Sequence, residues 1–426
     1  MEGWKEYKLG DLLIDKGYIR GPFGSALRRP ELKSSGIPVY EQQHAIYNTR
    51  VFRFFIDEPK FKELKRFQVR PNDLIISCSG TVGKISIIGD KDPLGIISQA
   101  LLILSVNKDL ISSKFLFFFL TNPKGNESLL QASHGSVQVN IAQRSTVENI
   151  DLLLPPLPLQ HRIAEILGAL DDKIELNRQM NQTLEQMAQA LYKHYFVDDI
   201  DPENLPEGWR NYKIRELIDS SIGGDWGHDK LNEEFCVPVK IIRGTDFENV
   251  KCSNLKSLPF RYIKQGNFIK RQLIPDDIVL EISGGSTDQP TGRSISMTDV
   301  LINRFSGKVV PASFCRLIRP ISSYASVLQQ YLQFLYDSGG TWMYQNQSTG
   351  LSNFQYSYFI DTAEIPIPQN LETIGGFNNK IRSFNTLIGN NIVESEHLIS
   401  TRDYLLPKLI SGDFIPSDLQ TIEQTL

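Results

Sequence analysis

A polar loop in the N-terminal half carries side chains suited to reading nucleic-acid bases. Residues 41–44 follow a predicted strand and place Gln42, Gln43 and His44 side by side. A glutamine amide both donates and accepts hydrogen bonds, which matches the paired donor and acceptor on the major-groove edge of adenine. This loop is therefore a candidate base-reading segment.

A second polar loop occupies the corresponding place in the C-terminal half. Residues 243–246 contain Arg243, Thr245 and Asp246. Arginine forms paired hydrogen bonds with guanine, and aspartate can accept one from cytosine. Further candidates are Arg20, Ser79, Thr81, Lys84 and Gln99 in the first half, and Arg293, Asn303 and Arg304 in the second. Any of them could instead contact a phosphate or be a solvated loop residue, because half or more of protein–DNA hydrogen bonds go to the backbone.

Motifs for catalysis are absent from the sequence. Neither the Asn-Pro-Pro-aromatic motif of amino-methyltransferases nor a Walker A sequence occurs, and the histidines lack zinc spacing. Residues 79–84 read Ser-Gly-Thr-Val-Gly-Lys and could cradle a phosphate, although a hairpin turn is the favoured interpretation. The four cysteines are scattered, so we expect no metal site and reduced thiols in a cytoplasmic protein.

The elements that must position these loops occur twice. Residues 3–13 return in similar form at 208–218, and the strand entry at 71–76 returns at 275–280. This spacing is too long for a solenoid, whose period is about 20–50 residues. Short strands separated by Gly and Pro turns predict two similar mixed α/β domains. The predicted strands are 36–40, 73–77, 85–88, 100–104, 237–242, 277–281 and 313–318, and the predicted short helices are 113–121 and 325–336.

Two long segments carry a heptad pattern that is typical of a coiled coil. Each helix would extend about 50 Å, and packing the two together is the simplest way to bury both apolar stripes. The seam positions are Leu167, Leu170, Ile174, Asn177, Asn181, Leu184 and Leu191, and Ile381, Phe384, Ile388, Asn391, Ser395, Leu398 and Leu405. The polar pairs lie near the midpoint of each seam, so an antiparallel arrangement would bring them together. They either fix the register or are tolerated on a loosely packed stripe.

The composition is that of a folded protein with two domains. Hydrophobic residues make up 41% and charged residues 22% of 426 positions, and the net charge is −4. Residues 1–158 carry 20 Lys+Arg against 16 Asp+Glu, whereas residues 159–207 carry 4 against 10. No secretory signal pattern or bilayer-spanning run occurs. The predicted divisions are domain one at 1–158, the first helix at 159–200, domain two at 201–370, the second helix at 371–414 and a tail at 415–426.

Several short motifs occur in a fixed order along the whole chain. They are the Gly-Trp that opens each half, Gly-Pro-Phe-Gly-Ser at 21–25, Ser-Gly-Thr-Val-Gly-Lys at 79–84, Leu-Pro-Pro-Leu-Pro-Leu-Gln at 154–160 and Leu-Leu-Pro-Lys-Leu-Ile-Ser-Gly at 405–412. In this combination the chain resembles the specificity (S) subunit of a type I restriction-modification system. The second half departs from the pattern, with Ser-Gly-Gly-Ser-Thr-Asp at 283–288 and no double proline at 365–369.

The resemblance implies a subunit without catalysis that binds double-stranded DNA. Each repeated domain would be a target recognition domain for one half of a bipartite site. The helices, an antiparallel coiled coil between pseudo-twofold-related domains, would dock two methyltransferase subunits, through which restriction subunits join the complex. The resemblance implies no cofactor in this subunit and S-adenosylmethionine in the partner. The alternative is a coiled-coil scaffold with two protein-binding modules, which would lack salt-dependent DNA binding.

Overall fold

The chain forms two compact units that share the two long helices. The computed structural model describes residues 3–131, 141, 143–251, 255, 258–285, 289–348 and 351–414. One unit comprises 1–172 with 399–426, and the other comprises 173–398. Both divisions fall inside long helices, so each unit consists of one domain together with part of both helices.

The first unit is built from short strands and helices. Its strands are β1 Lys5–Lys8, β2 Leu13–Arg20, β3 Ile37–Tyr40, β4 Phe55–Ile56, β5 Leu74–Ser77, β6 Ile85–Ile87, β7 Ile96–Ile97, β8 Leu101–Val106 and β9 Asp151–Leu154. Its helices are α1 Gln42–Ile46, α2 Glu58–Glu63, α3 Ser113–Thr121, α4 Pro123–Gln131 and α5 Arg144–Glu148. The strands form an antiparallel sheet β2-β8-β5-β6, a mixed sheet β4-β3-β7 and the pair β1-β9.

The long helix α6, Leu157–Phe196, leads into the second unit. Strands there are β10 Trp209–Lys213, β11 Ile218–Gly223, β12 Val237–Ile242, β13 Phe260–Ile263, β14 Ile278–Glu281, β15 Ser283–Gly285, β16 Ser294–Ser296, β17 Val309–Pro311, β18 Cys315–Pro320, β19 Gln345–Ser348, β20 Leu351–Phe354 and β21 Glu364–Pro368. The helices that follow are α7 Phe247–Lys251, α8 Gln265–Arg271, α9 Asp299–Arg304, α10 Ala325–Asp337, α11 Tyr356–Thr362 and the long α12 Leu371–Ser411. Among the helices of the described residues, none is long and apolar enough to cross a bilayer.

The two domains repeat the same sheet topology, which confirms the predicted duplication and mixed α/β class. The second unit contains an antiparallel sheet β11-β18-β14-β16, a mixed sheet β13-β12-β17 and the pair β10-β21, each in the order of its counterpart. It also contains a sheet β15-β20-β19 that the sequence did not predict. Divergence between the halves therefore includes an added element as well as different loop side chains.

A tight turn explains why the strand entry before β5 and β14 is repeated. Asn72 and Asp276 adopt positive φ angles of 73° and 69°, a conformation that Asn and Asp tolerate better than most residues. The next residue, Asp73 or Asp277, accepts a hydrogen bond from the backbone N–H three residues earlier, at 2.7 and 2.9 Å. The motif therefore closes the turn that leads into a central strand of each larger sheet.

Contacts within the second unit make the helix pair antiparallel, as predicted. Asn177 Nδ2 donates to Glu394 Oε2 at 2.8 Å, whereas Asn181, one turn further along α6, accepts from the earlier residue Asn391 at 2.8 Å. The polar pairs of the two seams thus meet, and Asn177 is fully buried. Every predicted seam position is buried or half-buried, including Leu167, Leu170, Ile174, Leu184, Leu191, Ile381, Phe384, Ile388, Ser395, Leu398 and Leu405.

The end of α12 completes the core of the first unit. Leu406, Leu409 and Ile410 join Leu167 of α6 in the buried cluster that also contains the core-facing residues of β5, β8 and α3. Each domain therefore packs against segments of both long helices rather than against its own helix alone.

We expect the half-buried amides of Asn181 and Asn391 to be energetically coupled. Asn181→Ala and Asn391→Ala each remove one partner of the 2.8 Å hydrogen bond. A double-mutant cycle by denaturant unfolding should give a coupling energy of about 0.5–1.5 kcal/mol. Asn390→Ala, at an exposed position of the same helix, should change stability by less than about 0.5 kcal/mol. Strictly additive effects of the two substitutions would contradict a register-fixing role.

Candidate nucleic-acid interface

The first unit gathers its predicted glutamines around one cavity. Gln42 and Gln43 at the start of α1 and Gln99 before β8 line a cavity of about 620 Å³. Gln99 is exposed, whereas Gln42 and Gln43 are half-buried. Because β3 and β7 are parallel neighbours, the loops that follow them emerge at the same sheet edge. The fold thus brings together amides that lie more than fifty residues apart in the sequence.

The segment 79–84 is a hairpin turn, as the sequence favoured, and it adjoins the same cavity. The turn joins the antiparallel strands β5 and β6. Gln42 Nε2 donates to the Ser79 Oγ at 2.9 Å and to the Ser79 carbonyl oxygen. Ser77 Oγ donates to the Thr81 carbonyl oxygen at 2.6 Å. Thr81 and Lys84 are exposed in this turn. Lys84 is therefore available to a phosphate.

Arg20 reaches the same region from the end of β2. A Cβ atom on the following residue, Gly21, would lie 1.9 Å from the Ser98 carbonyl oxygen, so this strand approaches the Gln99 loop closely. The buried Arg20 Nε has no hydrogen-bond partner among the residues that the structure describes. The guanidinium lies 5.9 Å from the ring of Phe23, which is 64% exposed. Arg20 is thus placed beside the loop that carries Gln99.

His44 has a positioning role that its sequence neighbours do not share. Its ring is fully buried and stacks on Phe52 at 4.6 Å. The backbone N–H of Glu41 donates to Nδ1 at 2.7 Å, and Nε2 lies 3.1 Å from the Val51 carbonyl oxygen. A neutral ring protonated at Nε2 satisfies both contacts. Burial lowers the pKa of His44, despite these backbone hydrogen bonds. The side chain therefore holds the loop rather than a ligand.

The second unit holds its predicted charged residues in internal ion pairs. Arg243 Nε and Nη2 donate to both carboxylate oxygens of Asp246 at 2.8 and 2.7 Å, and Asp246 is only 1% exposed. Arg293 Nε donates to the buried Glu281 at 2.9 Å. A Cβ atom on Gly244 would lie 2.3 Å from Glu281 Oε1, so the two ion pairs adjoin. The arginines carry the exposed part of this cluster.

Three of the predicted residues of the second unit divide between two places. Thr245 is exposed in the loop between Arg243 and Asp246. Arg304 lies in α9, where its Nε donates to Glu396 of α12 at 2.8 Å and its side chain is 5% exposed. The neighbouring Asn303 is exposed on the same short helix. Protein contacts bury the side chains of His44, Asp246 and Arg304, so these three are not exposed to a ligand.

Residues that sequence reasoning missed also line the cavity of the first unit. They are Arg29, Tyr47 and Arg53. Tyr47 is 76% exposed directly after α1, and Arg53 forms a bidentate ion pair with Glu41 at 2.8 Å. An aromatic residue within a polar loop was the available signal for Tyr47. Among the described residues, no group of His, Cys, Asp and Glu side chains could hold a metal ion.

A duplicated mixed α/β domain carried on paired antiparallel helices defines a class of protein with known structures. The fold resembles the crystal structure of a type I restriction-modification system S subunit from M. genitalium, with a TM-score of 0.55 and 13% identity over 96% of both chains. Residues 1–186 match the type I restriction modification DNA specificity domain. The chain is thus similar to type I restriction-modification specificity subunits, by the domain matched over residues 1–186 and by its fold.

Curated relatives carry the same description. The chain is 29% identical over 207 residues to the HindI specificity subunit of Haemophilus influenzae, covering 47% of this chain and 42% of that one. It is 23% identical over 379 residues to the MjaIX specificity subunit of Methanocaldococcus jannaschii, covering 82% and 81%. The match to the MjaVIII specificity subunit covers 64% of that relative. The chain thus spans less than two thirds of the HindI and MjaVIII relatives.

The buried His44 should make folding sensitive to pH. Its pKa in the folded protein lies below the ordinary value of 6.5, so the unfolded chain binds this proton more tightly. Stability should therefore fall as the pH drops below 6.5. The loss in thermal unfolding midpoint between pH 7.5 and pH 5.5 should be smaller in His44→Gln than in the unaltered protein. Gln43→Ala keeps the histidine and should keep the full loss. An equal loss in all three proteins would refute a buried neutral ring.

Proposed function

We propose that this chain is the DNA sequence-recognition subunit of a type I restriction-modification complex. Each unit reads one half of a bipartite site on double-stranded DNA. The chain itself is non-catalytic: two adenine methyltransferase subunits, which bind S-adenosylmethionine, dock on the long helices, and restriction subunits join through them. The complex acts in the cytoplasm.

The observation that carries the proposal is the equivalent placing of polar groups in the two units. In the first, the turn after β5 meets the loop after β3 through Gln42 and Ser79. In the second, the end of β14 meets the loop after β12 where Gly244 lies against Glu281. Two copies of one frame with different side chains at the same edge fit two recognition sites for different base sequences.

The rival function is a scaffold whose two modules bind protein. Phosphate contacts release counterions, so DNA affinity would fall linearly with salt on a logarithmic plot. A mobility-shift titration of the complex at several salt concentrations, with DNA that carries the methylated motif, separates the two functions. A salt-independent interaction, or none, would favour the scaffold.

We expect recognition by the two units to be separable. Gln42→Ala combined with Gln99→Ala removes two amides of the first cavity. Each lost base contact should cost about 1–3 kcal/mol of discrimination. Sequencing of methylated sites in a host that expresses the complex should then find one half-site relaxed. The other half-site and the spacer serve as internal controls. Equal weakening on all sequences would reassign these residues to phosphate contacts.

An exposed apolar stripe on α6 is the proposed methyltransferase contact. Leu176, Met180 and Met187 are 49%, 43% and 48% exposed and lie on one helix face at intervals of four and seven residues. The stripe lies next to the helix face that carries the buried seam residue Asn177, and not on it. Its residues are therefore not covered by the other long helix. Apolar side chains left in water along one face mark a partner surface better than isolated ones do.

Negative charge introduced on this stripe should weaken binding of the methyltransferase subunit. Leu176→Glu with Met180→Glu should weaken copurification of the methyltransferase subunit by at least about 2 kcal/mol, the usual effect of an interface hot spot. Ile269→Glu, at an equally exposed site of α8 (64%), is the matched control and should retain the partner. Retention of the partner by the stripe variant, with α-helical content unchanged, would place the contact elsewhere.

A further inference from the structure

The added sheet of the second unit presents a face of amide side chains. β19 and β20 pair antiparallel, with Asn346 directly opposite Asn353. Asn353 is in turn paired with Ser283 of β15, so the three residues form one row across the sheet. Asn346 and Asn353 are both exposed. Opposed residues of an antiparallel pair have Cβ atoms about 5 Å apart, so the two amides are neighbours.

The opposite face of the same hairpin is anchored in the core. Phe354 is 6% exposed, and its ring lies 5.1 Å from that of Phe359 and 6.0 Å from that of Tyr344. Ser352 is 3% exposed and lies 3.4 Å from the Thr291 hydroxyl. One face of β20 is therefore anchored in the core, whereas Asn346 and Asn353 remain exposed. Asparagine is disfavoured in strands, so strand formation alone does not account for two of them here.

One amide of the row is already oriented. Gln355 Nε2 donates to Asn346 Oδ1 at 2.7 Å. This contact directs the Asn346 Nδ2 group away from Gln355 and leaves it as a donor. An asparagine amide offers a donor and an acceptor in one plane, which is the arrangement that pairs with N7 and N6 of adenine.

The hairpin adjoins the arginine cluster of the proposed interface. Ser283 follows Glu281, the partner of Arg293, by two residues. It also occupies the place that Ser79 holds after β5 in the first unit, where Gln42 contacts it. The row of Ser283, Asn353 and Asn346 thus begins at the position after β14 that corresponds to Ser79 in the polar loops of the first unit.

On the proposed function as its basis, we infer that the amide face of β19 and β20 enters the major groove and reads adenine through Asn346 and Asn353. β-Strands that lie in the major groove are an established means of sequence recognition. This role makes the hairpin the specificity element of the second unit, beside Arg243 and Arg293.

The test uses the whole complex with its methyltransferase partner in a host that lacks other adenine methylation. Asn346→Ala combined with Asn353→Ala should lower discrimination for adenine at one half-site by about tenfold to a hundredfold, measured as methylation of variant sites. The other half-site and the spacer should be unchanged. Gln265→Ala, an exposed amide of α8 in the same unit, should leave the motif intact.

A second variant separates a base contact from a folding defect. Asn353→Asp keeps the side-chain shape but replaces the donor with an acceptor, which favours the amino group of cytosine. A shift of preference from adenine toward cytosine at one position supports the inference, because a misfolded hairpin would lose preference altogether. An unchanged motif in both variants overturns the hairpin's role while the proposed function stands. A complex of the unaltered protein that methylates no bipartite motif overturns both.

Discussion

Neither long helix can bury its apolar seam alone, and this constraint organises the whole molecule. The antiparallel pairing puts α12 residues into the core of the first unit and α6 residues into that of the second. The first unit is thus assembled from two chain segments separated by more than two hundred residues, whereas the second is continuous. Such cores form only when the helices pair in one register, because a shift would carry polar positions such as Asn177 into apolar surroundings. The buried amides tie that register to a hydrogen-bond network.

Within each unit, buried polar contacts hold loops that carry exposed polar residues. His44 ties its loop to Glu41 and Val51, and Asp246 does the same for the loop of Arg243. Glu281 holds Arg293 while lying against Gly244. Side chains held in this way lose little additional entropy on binding, which benefits specificity. Some residues that the sequence suggests as ligand contacts, such as His44 and Asp246, therefore hold the loops in place instead.

The duplicated frame has been used differently in the two halves. The first unit surrounds a cavity of about 620 Å³ with glutamines and arginines. The second closes its arginines into ion pairs and adds a three-stranded sheet with an amide face. On the proposed function, a common set of strands with different side chains at its edges suits one architecture to two different sequences, since specificity is carried by side chains at the edge and not by the sheets themselves.

The sequence by itself determined the duplication, some of the strands of each domain and the helix pair. The heptad seam identified Leu167 and Ile381 as buried, and the local pattern predicted α3 at 113–121 as the structure has it. These features depend on periodicity among residues close in the chain. Only the tertiary structure decided that Asp246 and Arg304 are buried by ion pairs, and that the amide-rich segment around Asn353 forms a hairpin. Exposure and the pairing of strands with low intrinsic propensity depend on contacts with residues distant in sequence, such as Glu396 and Phe359, and those contacts exist only after folding.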